Sequence, residues 1–345
     1  MPTKTTDFHV LMLGKRGTGK TTMLAVLWDQ LDNLMNTRLG YFESEFSTSK
    51  FFGEALEKLR TMFLTPGTSV GLGIEGTDES KELEIALKTH GHENPHLRLR
   101  FWDYSGGLLN TTGVERSDEA LFQRKLDLAQ MIFIIVDAPA LMEHNGLFNS
   151  SRNSPETIRK IIRNKTLKGA TNVLFVVTRA EKYIRDNQRE EIYKRVEDSY
   201  KKLINDLAIN NSVGNICIVE TLGSIVLDEL LIKKTEEGEM YPQYSFKKIS
   251  ENATHSPRDT TIPLKLLLDT AIETSYSTRR KESEGFNWLR DILERDKELL
   301  DILNHLRTIT TKDSSVGSFR ALAPANNTQY QSTTNINSNS NSSFY

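Results

Sequence analysis

The sequence predicts a three-layer α/β fold on a mostly parallel sheet, with a helical insert and a C-terminal helical extension. Three observations predict it. The apolar runs Phe8 to Leu13, Met131 to Val136 and Asn172 to Val177 barely alternate, as in strands buried on both faces. Amphipathic helical patterns lie between the runs. A glycine-rich turn follows the first run, where a strand hands over to a helix.

Each element follows from its own pattern. The first strand ends at Gly14, and a helix runs from Lys20 to about Met35. Ser44 to Phe63 is an amphipathic helix, with Phe51, Phe52, Leu56, Leu59 and Phe63 near one face. The Gly/Thr-rich stretch from Pro66 to Thr77 is a loop. Leu83 to Leu87 reads as a strand. Leu97 to Trp102 is a stronger one, alternating Leu97, Leu99 and Phe101 with Arg98 and Arg100. Ser154 to Lys165 is a basic helix. Arg185 to Leu207 reads as one long helix, with an Ile192, Val196, Tyr200, Leu203 and Leu207 stripe. Its charges pair at i,i+4, as in Glu191 with Arg195, which suits a solvated face. Asn215 to Val219 is the last strand, and Val226 to Ser256 is charged and irregular. Ile262 to Ile272 and Glu284 to Leu306 are helices, the second either docked on the domain or paired with another copy. From about Thr310 the chain is Ser/Asn/Thr-rich and is expected to be disordered. The expected division is a domain over 1–275 with an insert at about 38–76, a helix over 276–309 and a tail over 310–345.

Composition narrows the function. The 345 residues are 37% hydrophobic and 26% charged, enough for one sizeable core with some exposed chain. The net charge of −2 provides no strong field to recruit nucleic acid or anionic membrane. With one cysteine, Cys217, no intrachain disulfide or cysteine-rich zinc site forms, and Cys217 reads as core. Met131 to Val136 is the longest apolar run, far short of the ~20 residues of a membrane span. The N-terminus lacks a signal-peptide core, so a cytoplasmic protein is expected. His90, His92 and His96 look metal-like but suit a hairpin loop better.

The chemistry centres on Gly14-Lys-Arg-Gly-Thr-Gly19-Lys20-Thr21, which satisfies G-x-x-x-x-G-K-[ST] between strand and helix. Gly14, Gly17 and Gly19 let the backbone wrap an anion with its N–H groups inward, and the helix N-terminus adds its dipole. Lys20 is expected to reach the β- and γ-phosphates and Thr21 to ligate Mg2+. Arg16, Thr18 and Thr22 complete the nucleotide-contacting set. Asp103 at a strand tip can hold a Mg2+-bound water, and Gly106 brings a backbone N–H to the γ-phosphate. Thr178-Arg179-Ala-Glu181 follows a strand. Its carboxylate can accept the N1–H and N2–H of guanine, a pair adenine lacks, while Arg179 lays its stem along the base. Thr221 and Leu222, in Thr221-Leu-Gly223, are expected to point backbone N–H groups at guanine O6.

In this order the segments resemble the phosphate-loop GTPases of the translation-factor-related, Ras-like class, over about residues 7 to 225. The Gly-x-Arg-Gly-x-Gly-Lys-Thr loop, the insert and Thr221-Leu-Gly223 are most similar to the prokaryotic double-GTPase group of conflict and antiviral-defence gene clusters. The resemblance implies a sheet in order 2-3-1-4-5-6 with GTP or GDP at the strands' carboxyl ends. It implies a switch threonine that holds Mg2+, for which Thr77 is the choice and Thr68 the competitor. Lys20, Thr77 and Gly106 then form the catalytic set, and Thr21, Thr77 and Asp103 the metal set. Three departures stand out. Gly107 replaces the glutamine that often orients the attacking water, Glu181 replaces aspartate, and Arg16 stands where a small residue is usual, either facing solvent or reaching the nucleotide or a partner. The expected function is a regulatory GTPase with slow Mg2+-dependent hydrolysis, signalling to a protein partner through loops near Thr77 and Gly106. An ATP-binding effector and a non-hydrolysing scaffold stay open, and a small-molecule kinase fits less well.

Overall fold

The computed structural model describes residues 5–35, 40–70, 80–90, 93–104, 116–166, 171–236, 238–282, 297, 301–302 and 317–322. Thr77, Gly106 and Gly107 lie outside them, as do most of the helix expected over 284–306 and most of the tail.

Among the described residues, eight strands form the main sheet. In chain order they are β1 (Thr6–Leu13), β2 (Tyr41–Ser44), β4 (Lys81–Lys88), β5 (Leu97–Asp103), β6 (Met131–Asp137), β7 (Asn172–Thr178), β8 (Val213–Ile218) and β11 (Phe319–Ala321). Their spatial order is β11-β8-β7-β6-β1-β5-β4-β2. The six strands read from the sequence take the expected order, β4-β5-β1-β6-β7-β8, and two short strands extend its edges. Pairing from β5 to β8 is parallel, whereas β4, β2 and β11 pair antiparallel.

The apolar runs are buried on both faces because helices cover both. On one face Phe8, Val10, Met12, Phe133 and Ile135 pack with α1 (Lys20–Met35), α2 (Phe46–Leu64) and α9 (Thr261–Glu282). On the other, Leu11, Leu13, Ile132, Ile134 and Val136 pack with α3 (Arg116–Leu128), α6 (Pro155–Thr166) and α8 (Arg189–Ile209). Trp28 stacks on Phe52 to join α1 to α2. Cys217 is core. Ile302 is fully buried beside Gly40 and so packs on the domain.

Three readings need correction. Residues 226–256 are not irregular. They contain β9 (Ile225–Lys234) and β10 (Met240–Lys248), an antiparallel hairpin whose β10 also pairs β3 (Ser69–Val70). A register shift at Ser245/Phe246 and burial of only the near half of β9 erase the alternation that marks strands. The long helix starts later than expected: α8 begins at Arg189, after α7 (Glu181–Arg185) and a turn in which Asn187 sits at φ 56° in the left-handed region. Residues 319–321, assigned by composition to the tail, form β11. Hydrogen bonding to the open edge of β8, rather than apolar burial, orders them, and Arg320 lies over the Tyr193 ring at 4.1 Å.

Candidate nucleotide site

The chain order reverses about β1, which lies between β5 and β6, and ligands of such sheets bind outside the carboxyl ends there. Register brings Asp103 beside Met12 and Asp137 beside Thr178, so both carboxylates stand at that rim.

The phosphate loop runs from β1 into α1. Gly17 and Gly19 have φ 76° and 95°, conformations that suit glycine. A Cβ at Gly14 would stand 2.8 Å from the Thr18 hydroxyl oxygen. Lys20 folds back, its buried ammonium donating to Gly14 O at 2.7 Å and Lys15 O at 3.2 Å. The Thr18 hydroxyl donates to Lys15 O at 2.9 Å. The Thr178 hydroxyl donates to Thr18 O at 2.7 Å, strapping the loop to β7. Thr21 and Thr22 open the helix half-buried, and Arg16 is exposed.

Asp103 is buried, and neither carboxylate oxygen has a hydrogen-bond partner among the described residues. Burial pushes its pKa up, and the Lys20 charge opposes that most strongly. Burial lowers the Lys20 pKa, with Asp103 opposing and Arg152 adding repulsion. Lys15 is lowered by burial and then by Arg152. A buried carboxylate with unused acceptors, beside cations that repel one another, suits a divalent cation and a polyanion together. Asp103 and Thr21 are the described residues able to hold Mg2+, which would neutralise phosphate charge.

The expected base-contacting residues are assembled differently. Glu181 is buried at the start of α7 and accepts from the Leu222 N–H at 2.9 Å. The acceptor meant for the guanine edge and the donor meant for O6 therefore hold each other. Burial pushes the Glu181 carboxyl up to about 7, against the backbone N–H groups it accepts from. Above their loop, His255 meets Thr221 O at 3.0 Å. Gly223 has φ 66°, and a Cβ there would lie 1.8 Å from Ser256 O. Arg179, at φ 57°, donates to Asp137 at 3.2 Å and faces the Tyr244 and Phe246 rings at 5.3 and 5.6 Å.

Sequence reading passed over Asp137, Arg152 and Tyr244, which the fold brings to this rim. An aspartate closing a buried strand was a usable signal for the first. Arg152 and Tyr244 come from segments without a motif. His96 is buried and bonded to the Thr89 hydroxyl at 2.6 Å. No group of three or more His, Cys, Asp or Glu residues able to hold a metal occurs among the described residues. No described helix is long and apolar enough to cross a membrane.

No protein-family model and no curated protein matches the chain. Among solved structures it is similar to the S. cerevisiae Ski7 GTPase-like domain bound to GTP, at 16% identity and TM-score 0.37, covering 64% of this chain and 44% of that one. It is similar to the signal recognition particle receptor SRb-GTP/SRX complex from Chaetomium thermophilum, at 12% identity and TM-score 0.34, covering 64% and 93%. The LeoA bacterial dynamin GTPase from ETEC follows at 13% identity and TM-score 0.32, covering 88% and 38%. The chain thus spans under half the length of the Ski7 and LeoA chains. Likenesses this loose place no residue, so the site is read from its own geometry.

Proposed function

We propose that this protein binds GTP with Mg2+, hydrolyses it slowly and uses the bound state to regulate a protein partner. The observation that carries the reading is the pairing of the phosphate-loop cradle with Asp103, a buried carboxylate whose two oxygens have no described partner. The loop N–H groups and Lys20 take the phosphates. Thr21 and Asp103 take the metal, Asp103 through a bound water. Thr77 and Gly106, outside the described residues, are the proposed γ-phosphate-sensing positions. Gly107 has no side chain to orient a water, so turnover is slow until a partner supplies that group.

Guanine selection is assigned to Glu181, with Leu222 and Thr221 at O6. One observation favours a second reading, an ATP-binding effector: Glu181 and Leu222 already satisfy each other. Guanine must share that acceptor with the Leu222 N–H, whereas adenine leaves it undisturbed. The test is Mg2+-dependent binding of fluorescent GTP and ATP analogues to wild type and Glu181→Ala. A GTP preference lost in the variant is expected. Equal affinities unaffected by the substitution would leave only a phosphate-loop NTPase.

A further inference from the structure

We infer that Arg152 is a nucleotide-phosphate contact, placed over the loop by Asn153, which pins its helix to the end of β6, and by Tyr244 of the β9–β10 hairpin. This rests on the nucleotide reading above and adds a residue outside the loop motif to it.

Four observations carry it. First, the guanidinium lies over the middle of the phosphate loop. Its Nη2 is 3.4 Å from Gly17 O and would be 3.1 Å from a Cβ on Gly17. A side chain at Gly17 would crowd it. Second, its bonding is incomplete. Arg152 Nε is buried without a hydrogen-bond partner, and its approach to Asp137 Oδ2 is 3.9 Å. The stronger partners of Asp137 are Tyr244, whose hydroxyl donates at 2.6 Å, and Arg179 at 3.2 Å. Arg179 supplies the opposing charge for Asp137, which leaves the charge on Arg152 weakly compensated. Third, Arg152 repels both Lys15 and Lys20, the cations of the loop. Such convergence is costly without a polyanion and favourable with one.

Fourth, the position is built. α5 (Asn149–Arg152) is pinned to the end of β6 by Asn153, which accepts from the Asp137 N–H at 2.8 Å and donates to Asp137 O at 3.2 Å. Tyr200 donates to Asn153 O at 3.2 Å from α8. The hairpin packs on the same segment. Leu230 and Tyr244 cluster with Ala140 and Phe148, and His144 meets Leu230 O at 3.0 Å. The Arg152 guanidinium stands 5.6 Å from the Tyr244 ring centroid. Tyr244 is therefore a positioning residue, acting through Arg152.

The experiment measures Kd for fluorescent GTP and GDP with Mg2+, plus ligand-free Tm, for wild type, Lys20→Ala, Arg152→Ala, Arg152→Lys, Tyr244→Phe and the Arg152→Ala/Tyr244→Phe double variant. Arg152→Ala is expected to weaken both nucleotides by roughly 10- to 100-fold, the scale of one charged hydrogen bond. Arg152→Lys recovers part of that loss, and Tm stays near wild type. Tyr244→Phe weakens binding about 3- to 10-fold, but adds nothing in the double variant. Wild-type affinity in Arg152→Ala, with binding lost in Lys20→Ala, overturns this inference alone. A fall in Tm matching the fall in affinity in Arg152→Ala, recovered together in Arg152→Lys, overturns it as a structural effect. Full additivity in the double variant overturns the role of Tyr244. Absence of nucleotide binding in wild type, or its persistence in Lys20→Ala, overturns the nucleotide reading first and this inference with it.

Discussion

The two ends of the proposed nucleotide site are built in opposite ways. At the phosphate end, eight consecutive residues make the cradle, and its bonds are local: Lys20 to Gly14 and Lys15, Thr18 to Lys15. At the base end, Glu181, the Thr221–Leu222 pair and His255 come from three separate segments and hold one another. The phosphate end keeps polar groups unsatisfied, both oxygens of Asp103 among them. The base end satisfies its acceptor with its own donor. An unsatisfied buried group is a standing drive to bind, and a self-satisfied one is a standing competitor with ligand. Affinity is therefore expected from the phosphate end and selectivity, at a cost, from the base end.

The sharpest break of this contrast is Lys20→Ala. Removing a buried charge partner of the phosphates costs about 2–5 kcal/mol, so nucleotide affinity falls at least ~30-fold, read by titration. Wild-type affinity in that variant would end the contrast. Next, Asp103→Asn is expected to collapse the difference between affinities measured with Mg2+ and with chelator. It also raises ligand-free Tm, because a buried carboxylate becomes neutral. A lower Tm would mean that Asp103 has structural partners.

The base end is probed by pH. The folded Glu181 carboxyl, at about 7, lies above its unfolded value of 4.5. Its stability contribution is therefore complete below about 4.5 and lost as pH rises through 7. The loss is on the order of 3 kcal/mol, and ligand-free Tm falls over that window. Guanine N–H donors favour the carboxylate, so GTP affinity rises over the same interval. Glu181→Gln flattens both profiles. A profile unchanged in Glu181→Gln would assign the titration elsewhere. The smallest expected effect separates the ends by sterics. Gly223→Ala forces a Cβ to 1.8 Å from Ser256 O at a φ of 66°, displacing the base loop and lowering Tm by a few degrees. GTP preference falls more than total phosphate affinity, as GTP and ATP titrations would reveal.

The same contrast explains what was legible. The cradle and the six strands are written in contiguous residues, with a period or a spacing that local physics sets. The hairpin was not legible, because Leu227 and Leu230 are buried, and Tyr244 and Phe246 half-buried, by what they land on rather than by a strand period. The late start of α8 was hidden because Arg185 and the residues from Arg189 on are all good helix formers, and only Asn187 between them turns the chain. β11 was hidden because a sheet edge orders backbone regardless of apolar content. At the proposed site, Asp103 and the loop each adjoin a strand end that the sequence marks, whereas the Glu181–Leu222 bond joins residues 41 positions apart.

By itself the sequence determined the six central strands and the glycine-rich turn from the first of them into a helix, because strand burial and tight turns depend on neighbours in the chain. Only the tertiary structure decided that Arg152 lies over Gly17, that Asp137 holds Arg179 and Tyr244, and that Glu181 faces its own loop. Those contacts depend on distances between segments, and nothing local encodes them. They arise when two packed faces and a hairpin bring separate segments to one rim.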